Sequence, residues 1–184
     1  MIGAAFGDTL ARAQAGDEAA FACLFRDVHP VLLRYLRVIA PEAEDVAGDT
    51  WLQEVAGLAG FRGEEQAFRA WLFTIARHRA ADAGRSRARR PAVPLETSGA
   101  AEQLMAADTA DLALEAASAR AVVALIASSL PRDQAEIIML RVVAGLDTGD
   151  VARIVGKSPG AVRVAAHRGL RRLAGQVAQA GVTL

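Results

Sequence analysis

The stretch from Asp147 to Leu173 constrains the fold most, because it has the pattern of two short helices joined by a tight turn. Asp147 is placed to cap the first helix, and Gly156 supplies the backbone freedom that the turn requires. Ser158 followed by Pro159 favours the start of a second helix, since serine accepts from free backbone N–H groups and proline fits the first helical position. The stretch therefore predicts a helix-turn-helix.

The second of these helices has one apolar and one basic face. Its apolar residues recur at helical spacing and predict a buried side formed by Val162, Ala166, Leu170 and Leu173. The opposite face carries Arg163, Val164, His167, Arg168 and Arg171. This arrangement is typical of proteins that place a basic helix in the major groove of DNA. The alternative interpretation is an ordinary pair of surface helices with a solvated basic face.

Charge is distributed unevenly along a chain whose net charge is zero. Residues 67–91 contain seven arginines and one aspartate, whereas residues 92–119 contain five acidic residues and no basic ones. Residues 150–184 contain five arginines, one lysine and one aspartate. Two basic regions on either side of an acidic connector are the layout of a protein with two separate contacts to polyanions.

Composition argues against several classes of protein. The single Cys23 excludes an internal disulfide, and the three histidines have no zinc-ligand spacing. No run is long and apolar enough for a transmembrane helix, and the first residues lack the pattern of a secretory signal, so we expect a cytoplasmic protein without direct membrane insertion. No nucleophile–base pair, phosphate loop or metal spacing is present. We therefore expect no enzyme activity, cofactor, metal or small-molecule substrate.

Helical periodicity runs through both ends of the chain and predicts an all-α protein. The expected helices are Thr9–Ala15, Asp17–Ala40 with a kink or break at Pro30, Pro41–Leu58, Phe68–Arg85, Leu112–Ser129, one that Pro131 opens and Gly145 closes, and the helix-turn-helix pair. Residues 92–111 lack periodicity and basic residues, which indicates a flexible linker. The prediction is two small helical domains, residues 1–91 and 112–184, joined by that linker.

Two features of the first half have a functional and a simpler interpretation. An acidic outer face is expected on the helix after Pro41, from Asp45, Asp49, Gln53 and Glu54, although such a face is usually only solvated. Aromatic residues beside the expected loop 61–67, followed by the run of arginines at 85–90, suit single-stranded nucleic acid, where bases stack and phosphates meet cations. For Trp71, a place in the core is the better interpretation.

Taken together, the two halves resemble the extracytoplasmic-function sigma factors. GDEAAF, AEDVAGDTWL, and FRG followed by FRAWLFTIARHRAAD and a basic tail are similar to region 2 of that family. SLPRDQAEIIMLRVVAGLD and DVARIVGKSPGAVRVAAHRGLRRL are similar to region 4. The resemblance covers about residues 15–91 and 112–174, and the order of the blocks is more specific than any one of them.

The resemblance implies a bacterial alternative sigma factor that binds core RNA polymerase and directs promoter-specific initiation. Region 2 of such proteins contacts a coiled coil of the largest polymerase subunit and melts the −10 element. Region 4 contacts the flap of the second largest subunit and reads the −35 element in duplex DNA. The implied partners are therefore core polymerase, promoter DNA and an anti-sigma factor, which would cover the 42–58 surface or wedge between the two domains.

The family's site residues carry over by position. The polymerase-facing positions are Asp45, Asp49, Thr50, Leu52 and Gln53. The −10 positions are Phe61, Arg62, Gly63, Gln66, Arg77, His78, Arg85, Arg87, Arg89 and Arg90. The −35 positions are Lys157, Ser158, Pro159, Arg163, Val164, His167, Arg168 and Arg171. This chain departs from the family at Gly48, where glutamine is usual, and at Val164 and Ala165, which replace a common serine–arginine pair.

Two other functions remain as alternatives. A stand-alone helix-turn-helix regulator would bind an operator specifically without polymerase, usually as a dimer, but it leaves the FRG and FRAWL block unexplained. An all-helical interaction protein would keep its function without the arginines at 163, 168 and 171.

Overall fold

Every element is helical in the computed structural model within the residues that it describes, which are 1–89 and 110–179, without the side chains of 110–116 and 177–179. A 3-10 turn at Gly3–Ala5 precedes helices α1 (Phe6–Gln14), α2 (Glu18–Ile39), α3 (Ala43–Leu58), α4 (Glu65–Arg89), α5 (Ala110–Ser129), α6 (Arg132–Ile138), α7 (Thr148–Val155) and α8 (Pro159–Gln179). One π turn, Met139–Val143, extends α6. The predicted all-α class is confirmed, and most of the predicted linker lies outside the described residues.

Helix α2 is the centre of the first half. The Asp17 carboxylate accepts from the backbone N–H groups of Ala19 and Ala20, at 2.9 and 3.1 Å, so the predicted cap is confirmed. The helix continues through Pro30, and the predicted break is wrong. Proline removes one backbone hydrogen bond, but apolar side chains on both sides of it are held in the same core, namely Leu24, Val28, Leu32 and Leu36.

Helix α4 is longer than predicted at both ends. It begins at Glu65, so residues 65–67 of the expected loop are helical. Glutamate suits a first helical turn, because its charge complements the positive end of the helix dipole, and here it also accepts from the N–H groups of Ile2 and Gly3. At its other end α4 includes the basic run as far as Arg89, since arginine is a good helix former.

The helix-turn-helix forms as predicted. The Asp147 carboxylate accepts from the N–H of Asp150 at 2.7 Å and so caps α7. Gly156 has φ 67° and ψ 35°, a left-handed conformation that glycine adopts without steric cost. The Ser158 hydroxyl accepts from the N–H of Ala161 at 3.2 Å, and Pro159 is the first residue of α8.

The prediction that Leu170 lies on the inner face of α8 is wrong. Leu170 is 47% exposed, whereas Val162 and Gly169 point inward. A Cβ atom on Gly169 would lie 2.6 Å from Cδ1 of Ile138. The absence of a side chain there lets α8 lie close on α6, and this rotates Leu170 out of the contact.

The two halves of the chain, residues 1–89 and 110–179, share one continuous core. Helix α2 packs against α5, α6 and the π turn, while α4 packs against α7. The buried side chains of both halves belong to a single cluster, which runs from Phe6 to Val162. The second half therefore lies directly on α2 and on α4, the helix that carries most of the predicted −10 residues.

Candidate nucleic-acid and polymerase interfaces

The basic face of α8 is open to solvent. Arg163, Val164, His167, Arg168 and Arg171 are all exposed, as the helix-turn-helix pattern predicts. The side chains of Arg168, Arg171 and Arg172 line a shallow depression of about 340 Å³. Of the residues before the helix, Ser158 uses its hydroxyl as the cap, and the Lys157 ammonium lies 3.7 Å from the Asp133 carboxylate. The basic face of α8 is thus accessible to an anionic partner from solvent.

The loop 61–64, which carries the predicted −10 positions Phe61, Arg62 and Gly63, is folded onto the start of α4. The ring of Phe61 stacks on Trp71, with centroids 5.1 Å apart and planes 23° apart, and its edge meets Phe68. The Arg62 guanidinium donates to the carbonyls of residues 59 and 61, which closes the turn. A Cβ atom on Gly63 would lie 3.1 Å from the Phe61 ring. The loop thus presents a half-buried aromatic ring, and its shape requires a residue without a side chain at Gly63.

The remaining −10 positions follow one another along α4. His78 is exposed, as are Arg85, Arg87 and Arg89 at the end of the helix, and Arg90 lies outside the described residues. Two of these arginines have acidic partners: Arg85 pairs with Asp82, and Arg87 pairs with Glu42 at 2.8 Å. Since α4 rises about 1.5 Å per residue, its 25 residues place the loop and the last arginine about 36 Å apart.

Two of the −10 positions touch the second half of the chain. The Gln66 amide donates to the carbonyl of Gly145 at 3.4 Å. The Arg77 guanidinium donates to Glu136 Oε1 at 2.8 Å, and the same oxygen accepts from the Tyr35 hydroxyl at 3.1 Å. Burial, together with the Glu136 carboxylate, raises the pKa of Tyr35 well above its ordinary value. Sequence reasoning missed this cluster, because its members are far apart in the chain.

The polymerase-facing positions on α3 divide into an exposed set and one buried residue. Asp45, Asp49, Leu52 and Gln53 are exposed, with Leu52 at 73%. Thr50 is fully buried, and its hydroxyl donates to the Val46 carbonyl at 2.6 Å, so it does not share the exposed side of α3 with the other four positions. The reason is that the inner stripe of α3 follows helical spacing through positions 43, 46, 47, 50, 51, 54 and 58.

The prediction that Glu54 belongs to the acidic outer face of α3 is wrong. Its side chain is fully buried, and neither carboxylate oxygen has a hydrogen-bond partner among the described residues. Burial raises the pKa of Glu54 to about 7. One turn earlier, the Trp51 indole donates to His29 Nδ1 at 3.1 Å, and burial lowers the pKa of His29. The helical spacing of the inner stripe, continued from Val46 and Trp51, was the sequence signal that places Glu54 inward, whereas its charge suggested the outer face.

Residues 1–89 and 110–179 contain neither a candidate membrane span nor a candidate metal site. None of the helices there combines the length and the apolar character that crossing a membrane requires. In the same ranges no three His, Cys, Asp or Glu side chains come together as a group able to hold a metal ion.

Comparison with known protein families matches the two halves of the chain, in order, to two regions of one family. The family model for Sigma-70 region 2 matches residues 21–90, and that for Sigma-70 region 4 matches residues 120–173. The ECF RNA polymerase sigma factor SigD of Mycobacterium tuberculosis is 36% identical over 98% of this chain and 88% of its own length. The ECF RNA polymerase sigma factor ShbA of Streptomyces griseus is 35% identical over 91% of this chain and 92% of its own length.

A solved structure shows the same fold. The sigma factor RpoE in complex with the anti-sigma factor NepR from Bartonella quintana superposes with a TM-score of 0.57 at 24% identity, over 83% of this chain and 93% of that one. The fold, the two matched regions in their order, and the identity to SigD and ShbA over nearly the whole chain lead to one conclusion. The chain belongs to the ECF RNA polymerase sigma factors.

Proposed function

We propose that this protein binds bacterial core RNA polymerase and directs it to promoters, with the first half reading the −10 element and the second half reading the −35 element. The observation that carries the proposal is the open basic face of α8, on a helix-turn-helix that lies within a matched Sigma-70 region 4. A cytoplasmic location, and a role without catalysis, cofactor or small-molecule substrate, belong to the same proposal.

The −35 element is read by α8 in the major groove. Arg163, His167 and Arg168 supply donors, and an arginine paired with a guanine edge is worth about 1–3 kcal/mol of discrimination against the wrong base. Val164 supplies a methyl contact to thymine where the family's usual serine would make a hydrogen bond. Lys157, with Ser158 and Pro159 at the helix start, faces the phosphates, which position the helix without specifying sequence.

The −10 element is read by the loop 61–64 and by α4. A base taken out of the stack costs a few kcal/mol, which contacts in a pocket beside Phe61 and Gly63 offset. The exposed cations along α4 then hold the backbone of the melted strand, since phosphates are attracted to arginine side chains at such spacing. The stacking of Phe61 on Trp71 supports this role, because it keeps the platform rigid.

Core polymerase is bound through the exposed side of α3. Leu52 and Val55 are large apolar side chains at 73% and 53% exposure, beside the carboxylates of Asp45 and Asp49. An apolar centre with a charged rim is the usual anatomy of a protein interface. We assign this surface to the coiled coil of the largest subunit, and we assign the second half to the flap of the second largest subunit.

An anti-sigma factor is the proposed regulator. The structural neighbour RpoE forms a complex with the anti-sigma factor NepR. In this chain such a partner has two places to act: the exposed side of α3, or the contact between the two halves. Either place would prevent the protein from engaging polymerase and promoter together.

The proposal is tested by transcription in vitro with purified bacterial core polymerase, fragmented genomic DNA of the source organism and this protein, followed by mapping of RNA 5′ ends. We expect new starts that share elements near −10 and −35. The double variant Arg163→Ala, Arg168→Ala should lose these starts.

The matched control is Arg26→Ala, which removes an exposed arginine whose hydrogen bond is to its own helix. Tight binding of the protein alone to a discrete duplex, without new starts, would instead support a stand-alone regulator. Neither activity, with the arginine variants unchanged, would support an interaction protein.

A further inference from the structure

Helix α1 is bonded to the loop 61–64, although it lies before the part of the chain that matches Sigma-70 region 2. Its last residue, Gln14, donates from the side-chain amide to the carbonyls of Leu58 and Phe61, both at 2.9 Å. A primary amide has two N–H donors, so both donors of Gln14 are used in this contact. Because Leu58 is the last residue of α3 and Phe61 is the first of the loop, Gln14 fixes the loop to the end of α3.

The carbonyl of Phe61 has a second donor. The Arg62 guanidinium donates to it at 2.6 Å, and the Phe61 N–H donates to the Leu58 carbonyl at 3.0 Å. Arg62 is one of the residues that the proposed function assigns to DNA, and a guanidinium that turns towards a phosphate gives up its bond to a carbonyl. Gln14 is half-buried and is not assigned to DNA, so its two bonds do not have to break when DNA binds.

Aromatic packing joins α1 to the same loop. Phe6 is buried against Phe68, with ring centroids 5.6 Å apart, and Phe68 meets the Phe61 ring edge-on, also at 5.6 Å. At the other end of the loop, the Glu65 carboxylate accepts from two backbone N–H groups that precede α1. The segment before α2 therefore contacts the loop 61–64 at both of its ends.

A loop that reads an unstacked base benefits from having its shape before the base arrives. Affinity is lost when a binding segment has to be ordered on binding, and the apparent affinity falls by the fraction of molecules in the competent shape. One net hydrogen bond changes such an equilibrium by roughly two- to tenfold. The loss of two bonds is therefore large enough to change how often the loop 61–64 has its binding shape.

We propose that Gln14 is a positioning residue for −10 recognition, because it holds the loop 61–64 in the shape that presents Phe61 and Gly63 to an unstacked base. The proposal rests on the proposed function, which assigns this loop to the −10 element. It extends the −10 machinery to α1, a helix that carries none of the residues assigned to DNA.

The test compares Gln14→Met with Thr9→Val in the full chain. Methionine is unbranched like glutamine and is an equally good helix former, but it has no N–H donors. The control also replaces a polar side chain of α1 with an apolar one of similar size, but the Thr9 hydroxyl bonds to the carbonyl of Ala5 and not to the loop. Thermal unfolding followed by circular dichroism confirms that both variants are folded.

Hydrogen exchange of the free chain, followed by mass spectrometry of a peptide that spans residues 58–64, reports the order of the loop. We expect Gln14→Met to speed exchange in this peptide by about three- to tenfold, while peptides from α2 keep their native rates. Thr9→Val should exchange like the native chain in both places.

The functional readout uses each variant bound to bacterial core polymerase, with a library of single-stranded oligodeoxynucleotides that have randomised positions. Sequencing of the bound fraction gives the preferred base at each −10 position. We expect Gln14→Met to lower the enrichment at the one or two positions that the loop reads by about three- to tenfold, while the phosphate contacts along α4 still retain DNA. A merely structural role of Gln14 would lower the retention of all sequences alike and leave the relative enrichment unchanged.

Three results would overturn the role of Gln14. Native exchange rates in Gln14→Met would show that this residue does not hold the loop. Faster exchange with native enrichment at every position would show that −10 recognition does not need this loop shape. An equal change in Thr9→Val would reduce the effect to a weakened α1. A native complex with polymerase that enriches no sequence would instead refute the proposed function, and this use of Gln14 with it, whereas the exchange rates report the loop in either case.

Discussion

Glu54 leads to a prediction about stability and pH. An ordinary glutamate releases its proton near pH 4.5, whereas the buried Glu54 carboxyl has a pKa of about 7. The folded protein therefore holds a proton that the unfolded chain releases, and stability falls as pH rises from 4.5 to 7. A tenfold change in proton affinity corresponds to about 1.4 kcal/mol. The free energy of unfolding above pH 7 is therefore about 3 kcal/mol lower than it is below pH 4.5.

Glu54→Leu removes the carboxyl and fills its place with an apolar side chain. We expect the free energy of unfolding to rise by about 3 kcal/mol at pH 8, and by less at pH 4.5, where the native carboxyl is already neutral. Glu54→Gln should abolish this pH dependence. It should keep part of the stability cost, because the buried amide would lack hydrogen-bond partners as the carboxyl does.

The assay is urea unfolding followed by circular dichroism, at several pH values from 4.5 to 8.5. The control is Asp49→Asn, which removes a carboxylate from the exposed side of the same helix and should follow the native curve. The reasoning is refuted if the native protein and Glu54→Leu show parallel pH profiles, because the buried carboxyl would then ionise at the same pH in the folded and unfolded chains.

Three further predictions concern single contacts. Burial lowers the pKa of His29, and its ring nitrogen accepts a hydrogen bond from Trp51, so the free energy of unfolding should fall as pH drops below about 6.5. Urea unfolding of Glu54→Leu measures this fall, because that variant lacks the opposite pH dependence of Glu54. A free energy of unfolding that stays constant below pH 6.5 would contradict the prediction. Gly169→Ala brings a Cβ atom against Ile138 and should cost about 1–3 kcal/mol by urea unfolding, with partial recovery when Ile138→Val removes the Cδ1 atom. Asp147→Ala should lose about 1 kcal/mol of stability in thermal unfolding while Asp147→Ser loses little, because serine also caps a helix; equal losses would show that the cap is not the cause.

Local sequence determined the helix-turn-helix. The aspartate cap, the glycine in the turn and the serine–proline helix start act within a few residues of one another, so their chemistry does not depend on distant parts of the chain. The same holds for the cap at Asp17 and for the helical class as a whole. The family motifs are likewise continuous stretches, which is why the two regions are visible in order without a structure.

The tertiary structure decided which face of each helix is buried and where the two halves of the chain contact each other. Thr50 and Glu54 lie inward while Leu52 lies outward, because the rotation of α3 is set by its packing on α2 and α4 rather than by its own polarity. Leu170 is exposed because Gly169 lets α8 approach α6. The bond between Arg77 and Glu136 joins residues 59 positions apart, and only the packing of one half on the other brings them together.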